Sequence, residues 1–193
     1  RRWLAMGRDR PYNSFGNGSA MRVSAVGWLR HSVEEVLAEA ARSAEVTHNH
    51  PEGVKGAQAV ALSILLARTG VPREEMRREL MARFGYDLER RMEEIRPDYG
   101  FDETCQGSVP EALIAFFEAE SWEAAVRNAV SLGGDADTQA CIAGAVAEAY
   151  FGGVPGAIWA EVQKRLPPDM VKVVGRFDTA AGRHGGTAAK GDP

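Results

Sequence analysis

The sequence predicts an all-α fold. Three observations carry that expectation. Apolar residues recur at the 3.6-residue helical period almost everywhere, and no stretch alternates with the strand period for long. Helix starts and stops are marked by Ser, Pro and Gly at the positions where capping physics wants them. The chain has 193 residues, 45% hydrophobic and 26% charged. That suits one soluble domain with a substantial core.

Helix by helix, the signals are local. Residues 14–22 are a glycine-rich loop leading into an apolar run. Ser32 and Glu35 form a capping-box pattern before a helix over 33–46, with Val33, Val36, Leu37 and Ala40 on one face. Pro51 fits a first helical position and Gly70 a stop. Pro72 and Gly85 bracket 73–84, whose mixed charges read as a solvated surface helix. A short helix is expected within 87–95, ended by Pro97. Residues 98–106 read as a loop, with Ser108 as the cap of a helix over 109–120. Ser121 caps 122–131. Helices over 139–150, 154–165 and 170–177 follow, separated by Gly152-Gly153 and Pro167-Pro168. Residues 1–178 form one helical domain, and 179–193, rich in Gly, Ala and charge, read as a disordered tail. Trp3, Trp28, Trp122 and Trp159 stand at apolar positions and read as core.

Composition excludes several function classes. A net charge of −4 gives no basic footprint for nucleic acid. No apolar run is long enough for a membrane span, and the start lacks a signal-peptide core. Cys105 and Cys141 form neither a disulfide framework nor a zinc spacing; Cys141 reads as a small core residue. The expected location is cytoplasmic.

The chemistry concentrates in Gly133-Gly134-Asp135-Ala136-Asp137-Thr138. Two carboxylates and a hydroxyl crowd the start of a helix. Like charges that close repel, and a hard divalent cation relieves the repulsion. An ordinary helix N-cap reads equally well from spacing alone, since Asp and Thr are favoured there. The loop Ser14-Phe15-Gly16-Asn17-Gly18 could bring backbone N–H groups up to a phosphate, or be a plain helix-start loop. Arg22 behind it could pair with phosphate or, preferably, with an internal carboxylate. His48 and His50 flank Asn49 before Pro51. They lack the partners of a zinc site, and His50 reads as a helix-start residue. His31 and His184 read as surface residues.

Together the loop at 14–22, Thr47-His48-Asn49-His50-Pro51 and the acidic run resemble the ADP-ribosylglycohydrolase family, over residues 11–175. The resemblance implies an all-α fold, a site for two magnesium ions (manganese the alternative) and removal of ADP-ribose from modified proteins or related compounds. It assigns Asp135, Asp137 and Thr138 to the metal. It places Ser14, Phe15, Gly16 and Asn17 on the ADP-ribose, and His48 beside the nucleotide sugar. The family often has Tyr at the position of Phe15. Asp135 is the candidate catalytic group, binding or positioning the water that attacks the ribose anomeric carbon. The leaving group implied is most often an arginine nitrogen.

Family members carry further metal ligands in an N-terminal acidic motif that has no counterpart before Ser14. The chain therefore reads as the C-terminal two-thirds of a family member. It is expected to be inactive alone, and to self-associate or pair with an N-terminal segment. Two other roles stay open: an ADP-ribose-binding pseudoenzyme, and a structural protein.

Overall fold

A computed structural model describes residues 10–183. Among them are eleven helices and no strand, as the helical periodicity predicts. In chain order they are α1 (Gly18–Met21), α2 (Ser24–Leu29), α3 (Val33–Glu45), α4 (Pro51–Arg68), α5 (Arg73–Phe84), α6 (Met92–Ile95), α7 (Cys105–Phe117), α8 (Trp122–Ser131), α9 (Ala136–Phe151), α10 (Gly156–Arg165) and α11 (Pro168–Ala180).

The capping chemistry sets the boundaries. Ser32 Oγ accepts from Glu35 N and Glu35 accepts from Ser32 N, closing the expected box at α3. Pro51 opens α4 and His50 Nδ1 caps it, accepting from Glu52 N at 3.1 Å. Ser121 caps α8 through Ala124 N. Gly85 and Gly152 end α5 and α9 with φ near 67° and 84°.

The core is built around α4, which is buried on nearly every side and packs on α1, α2, α3, α5, α7 and α9. Its crossing with α7 is close: a Cβ on Gly56 would lie 2.5 Å from Cys105 Sγ. Only glycine lets the two backbones approach so nearly. On the far side α9 packs on α7 and α8. Phe116, Leu113, Ile114, Leu62, Ile64 and Ile142 fill the space between them.

Several sequence expectations are corrected here. The helix expected from 109 begins at Cys105, capped by Thr104 through Gly107 N at 3.1 Å. Pro110 lies inside it rather than at its first position. The helix expected over 87–95 shrinks to Met92–Ile95, with buried Leu88 in the loop before it. Helix α5 is not merely a solvated surface helix. Met76, Leu80 and Phe84 are buried, Arg73 lies over Phe116, Tyr150 and Phe151, and Arg77 over Phe117. Guanidinium groups laid on aromatic faces keep their charge while covering apolar surface. Cys141 is exposed, not core. Trp28 and Trp122 pack against the core, but Trp159 sits on α10, which buries no residue. The final helix runs longer than 170–177, to Ala180. The expectations for Trp3, for His184 and for the part of the 179–193 tail beyond Arg183 lie outside the described residues; Thr179 and Ala180 belong to the final helix.

Candidate functional site

The loop before α1 is pinned from both sides by main-chain bonds. Asn17 N donates to Glu103 O at 2.7 Å and Cys105 N donates to Phe15 O at 2.8 Å, an isolated antiparallel bridge between Gly16 and Thr104. Ser14 N reaches Thr47 O at 3.4 Å, and Asn13 N reaches Asn49 Oδ1 at 2.8 Å. The loop therefore runs between the 47–50 turn and the start of α7. Ser14 Oγ turns inward to accept from Gly16 N at 3.2 Å. Ser19 anchors the first turn of α1 by donating to Gly53 O at 2.7 Å. Phe15 stays 44% exposed, its ring 5.3 Å from that of His50, so an aromatic face remains open to a ligand.

His48 lies directly beneath the glycines. A Cβ on Gly16 or Gly18 would stand 3.7 or 3.5 Å from His48 Nε2. His48 is buried, and its Nδ1 pairs with Thr47 Oγ1 at 2.6 Å. Burial, and then the Arg22 charge, holds its pKa below the ordinary 6.5, so the ring is neutral at pH 7. Arg22 has a structural partner, as preferred, but not a carboxylate. It donates to Ser43 O and Thr47 Oγ1, each at 3.1 Å, tying α1 to the end of α3 and the turn beyond it.

The acidic loop arrives from the opposite side. Gly133 and Gly134 have φ of 74° and 61°. A Cβ on Gly134 would meet Gly100 O at 2.5 Å, so the turn requires glycine by conformation and by contact. Asp135 occupies the N-cap position of α9 but makes no side-chain cap bond. Its Oδ2 instead accepts from Asn17 Nδ2 at 2.6 Å. Thr138 is buried and its hydroxyl donates to Met21 Sδ at 3.7 Å. Asp137 is exposed, and its Oδ1 accepts from Thr138 N at 3.0 Å. The capping alternative thus fails for Asp135, whose carboxylate turns from its own helix toward the glycine-rich loop.

Hydrogen bonding and packing therefore gather the candidate residues on two facing loops. Asn17 and Asp135 touch across them, Ser14 to Asn17 are contiguous, His48 supports them from below, and Asp137 and Thr138 begin α9 beside Met21 of α1.

Whether this donor set suits a hard cation can be judged from its chemistry. All three donors are oxygen, as magnesium requires. Asp135 Oδ1 and the second Asp137 oxygen have no protein partner among the described residues. In kind the residues fit; in number they fall short of a full shell. Among the described residues no group of three or more His, Cys, Asp or Glu side chains is placed to hold an ion. The remaining ligands would come from water, substrate or other protein.

Sequence reasoning missed the residues behind the site. Ser108, expected as a cap, is fully buried inside α7. It accepts from Asn17 Nδ2 at 3.1 Å and donates to Thr104 O. Tyr99 donates to Gly107 O at 3.0 Å and accepts from Gln139 Nε2, tying the first turn of α7 to the first turn of α9. Buried Glu111 pairs with Arg90 at 2.8 Å. Burial nonetheless pushes its pKa up, against the lowering effect of Arg90. The signal that could have revealed Ser108 was Thr104, a good N-cap four residues ahead; Pro110 hid it by resembling a helix start.

An all-helical body that holds a glycine-rich loop face to face with a Gly-Gly-Asp-x-Asp-Thr loop is the arrangement by which the chain can be classed. A family model described as ADP-ribosylglycohydrolase matches residues 1–185, and the chain belongs to that family. ADP-ribosylhydrolase ARH3 of Mus musculus is 29% identical over 184 residues, covering 72% of this chain and 50% of the relative. An uncharacterized protein of Archaeoglobus fulgidus is 32% identical over 153 residues, with the same coverage. ADP-ribosylarginine hydrolase Tri1 of Pseudomonas putida is 29% identical over 169 residues, covering 82% of this chain and 42% of that protein. A solved structure, "ADP-ribosylglycohydrolase-related protein complex", superposes with a TM-score of 0.65 at 30% identity, over 80% of this chain and 58% of the other. The chain spans about half the length of the curated relatives it matches.

Proposed function

We propose that this chain carries the nucleotide loop and one acidic loop of a magnesium-dependent hydrolase that removes ADP-ribose from modified protein side chains, arginine foremost. One observation carries the reading. The Asn17–Asp135 bond at 2.6 Å joins the loop suited to a diphosphate to the loop suited to a cation. Family membership supplies the reaction class, and Tri1, named as an arginine hydrolase, favours the arginine linkage.

On this reading the diphosphate lies against the first turn of α1, where leading N–H groups favour an anion, because the Ser14, Gly16 and Asn17 N–H groups are already committed to Thr47 O, Ser14 Oγ and Glu103 O. Phe15 offers its exposed face to a flat ring. Neutral His48 stands under the loop and shapes the sugar pocket without adding charge. Magnesium, held by Asp135, Asp137 and Thr138, would supply charge stabilisation at the ribose hydroxyls or at a water. Asp135 orients the attacking water through its free oxygen while Asn17 holds the other. Cleavage at an anomeric carbon passes through an oxocarbenium-like state, which a nearby carboxylate favours.

The shortage of protein ligands supports a second reading. By itself the chain binds ADP-ribose without turnover, and it needs a second copy or an N-terminal partner segment to complete the site.

The test is calorimetry with ADP-ribose and Mg²⁺ on the chain and on Asp135→Ala/Asp137→Ala, beside release of ADP-ribose from an arginine-linked substrate. Mg²⁺ binding is expected to disappear in the double variant, because too few anionic oxygens remain. Unchanged Mg²⁺ affinity there would overturn the metal assignment. Turnover by a monomer would exclude the second reading.

A further inference from the structure

Asn17 is the residue through which the two loops meet, yet an amide can be rotated end for end. Something must decide which end faces which neighbour. The Ser108 hydroxyl does part of this. Its single proton is committed to Thr104 O, four residues back in the same chain, so its oxygen can only accept. It lies 3.1 Å from Asn17 Nδ2. Asp135 Oδ2, 2.6 Å from the same nitrogen, also only accepts. The two N–H bonds of Nδ2 are therefore both spoken for. The carbonyl Oδ1 has no protein partner among the described residues, and it is not among the sealed, unpartnered polar atoms of the interior.

We propose that Ser108 is a positioning residue for the nucleotide site. It locks the Asn17 amide so that one N–H steadies Asp135 and the carbonyl is presented as an acceptor to a ligand hydroxyl. The ligand group this suits is a donor such as a ribose hydroxyl, not a phosphate oxygen, which would be repelled by Oδ1. Ser108 is fully buried and never meets the ligand itself; it acts through Asn17. The proposal rests on the nucleotide-site reading above and specifies which atom of Asn17 does the recognising.

The burial argument adds weight. An alanine at 108 would leave one Asn17 N–H without its acceptor in a site that is nearly closed: Asn17 is 7% exposed. Asp135 alone would then hold the amide by a single bond, and rotation about the last side-chain torsion would become easier. The terminal torsion of Asn is broad and weakly restrained by itself, so the second bond does the restraining.

The experiment compares Ser108→Ala, Ser108→Thr and Asn17→Ala with the parent chain. Two readouts are used: calorimetric affinity for ADP-ribose, and the side-chain ¹⁵N–¹H resonances of Asn17, which need no ligand. Ser108→Ala is expected to weaken ADP-ribose about 5-fold, the cost of one lost neutral hydrogen bond, and to shift and broaden the Asn17 amide pair. Ser108→Thr, which keeps the hydroxyl, is expected to restore both. Asn17→Ala should weaken binding by roughly 5- to 150-fold, the range for a lost buried polar partner. Parent-like affinity in Asn17→Ala would overturn the nucleotide-site reading itself. Loss in Asn17→Ala with parent-like affinity in Ser108→Ala would leave that reading standing and overturn the role of Ser108. Unmoved Asn17 resonances in Ser108→Ala would overturn it too, whatever the affinity, by showing that the amide is held without Ser108.

Discussion

Helix α7 and helix α10 are made of similar numbers of residues and are held in opposite ways. Eleven of the thirteen residues of α7 are buried, whereas α10, with ten, buries none. The difference separates a rigid half of the molecule from a peripheral one. Helices α4, α7 and α9 interlock through Phe116, Leu62, Ile64 and Ile142; the acidic loop opens α9, and the glycine-rich loop, which leads into α1, is bonded to the turn before α4 and to the start of α7. Helices α10 and α11 lie outside that core. The one buried residue of α11 is polar, Asp178. The C-terminal pair is tied down by Arg183, which pairs with Glu148 and with Asp178 and lies 4.2 Å over the Trp28 ring. Beside this cluster is a cavity of about 170 Å³, lined in part by Trp159, Val154 and Phe177. The lesson is that site geometry rests on buried apolar area, while the C-terminal helices rest on a few charge-assisted contacts that are cheaper to break.

The sharpest way to break this comparison is to damage the core. Phe116→Ala should cost about 3–5 kcal/mol in denaturant unfolding, as for other buried aromatic truncations, with both candidate loops disturbed. A loss of less than 1 kcal/mol would show that the interlocked half is not where stability resides.

A smaller effect is expected from Arg183→Ala, on the order of 1 kcal/mol, since the pairs it breaks are only partly buried. Hydrogen exchange should rise in α10 and α11 while α4 and α7 stay protected. Equal loss of protection throughout would mean that the C-terminal pair and the core form one cooperative unit.

The smallest effects come from protons. The folded-state pKa of His48 is lowered by burial. Its contribution to stability is therefore complete above the unfolded value near 6.5 and declines as pH falls through and below it. Glu111 has the opposite sign: its folded pKa is raised, so its contribution is complete below 4.5 and is lost as pH rises. His48→Gln should flatten the acid side of the stability profile and Glu111→Gln the next segment above 4.5. Profiles unchanged from the parent in both variants would remove burial as the cause.

Much of the fold was legible because helix ends carry local chemistry. Ser32 with Glu35, Pro51, Gly85, Ser121 and Gly152 each marked an end that the structure keeps. The signals failed where local and tertiary demands conflict. Pro110 looks like a first-turn residue, yet Thr104 caps the helix six residues earlier, and burial of the whole segment against α4 and α9 tolerates the missing backbone bond. The charged α5 looked solvated because arginine is polar by composition, and only the neighbouring aromatic rings reveal where Arg73 and Arg77 lie. Cys141 looked like core because its helix is apolar on more than one face.

For the candidate site the division is sharper. The sequence by itself determined which residue types stand in each loop, and that two of its glycines flank paired carboxylates. It left open whether Asp135 caps its own helix or looks elsewhere. That choice belongs to the tertiary structure, because Asn17 and Asp135 are 118 positions apart in the chain and meet only when α7 carries the 103–105 strand-like bridge under the glycine-rich loop. No local periodicity encodes a contact of that separation. It follows from packing α4, α7 and α9 into one core, which brings their loops together at a single end.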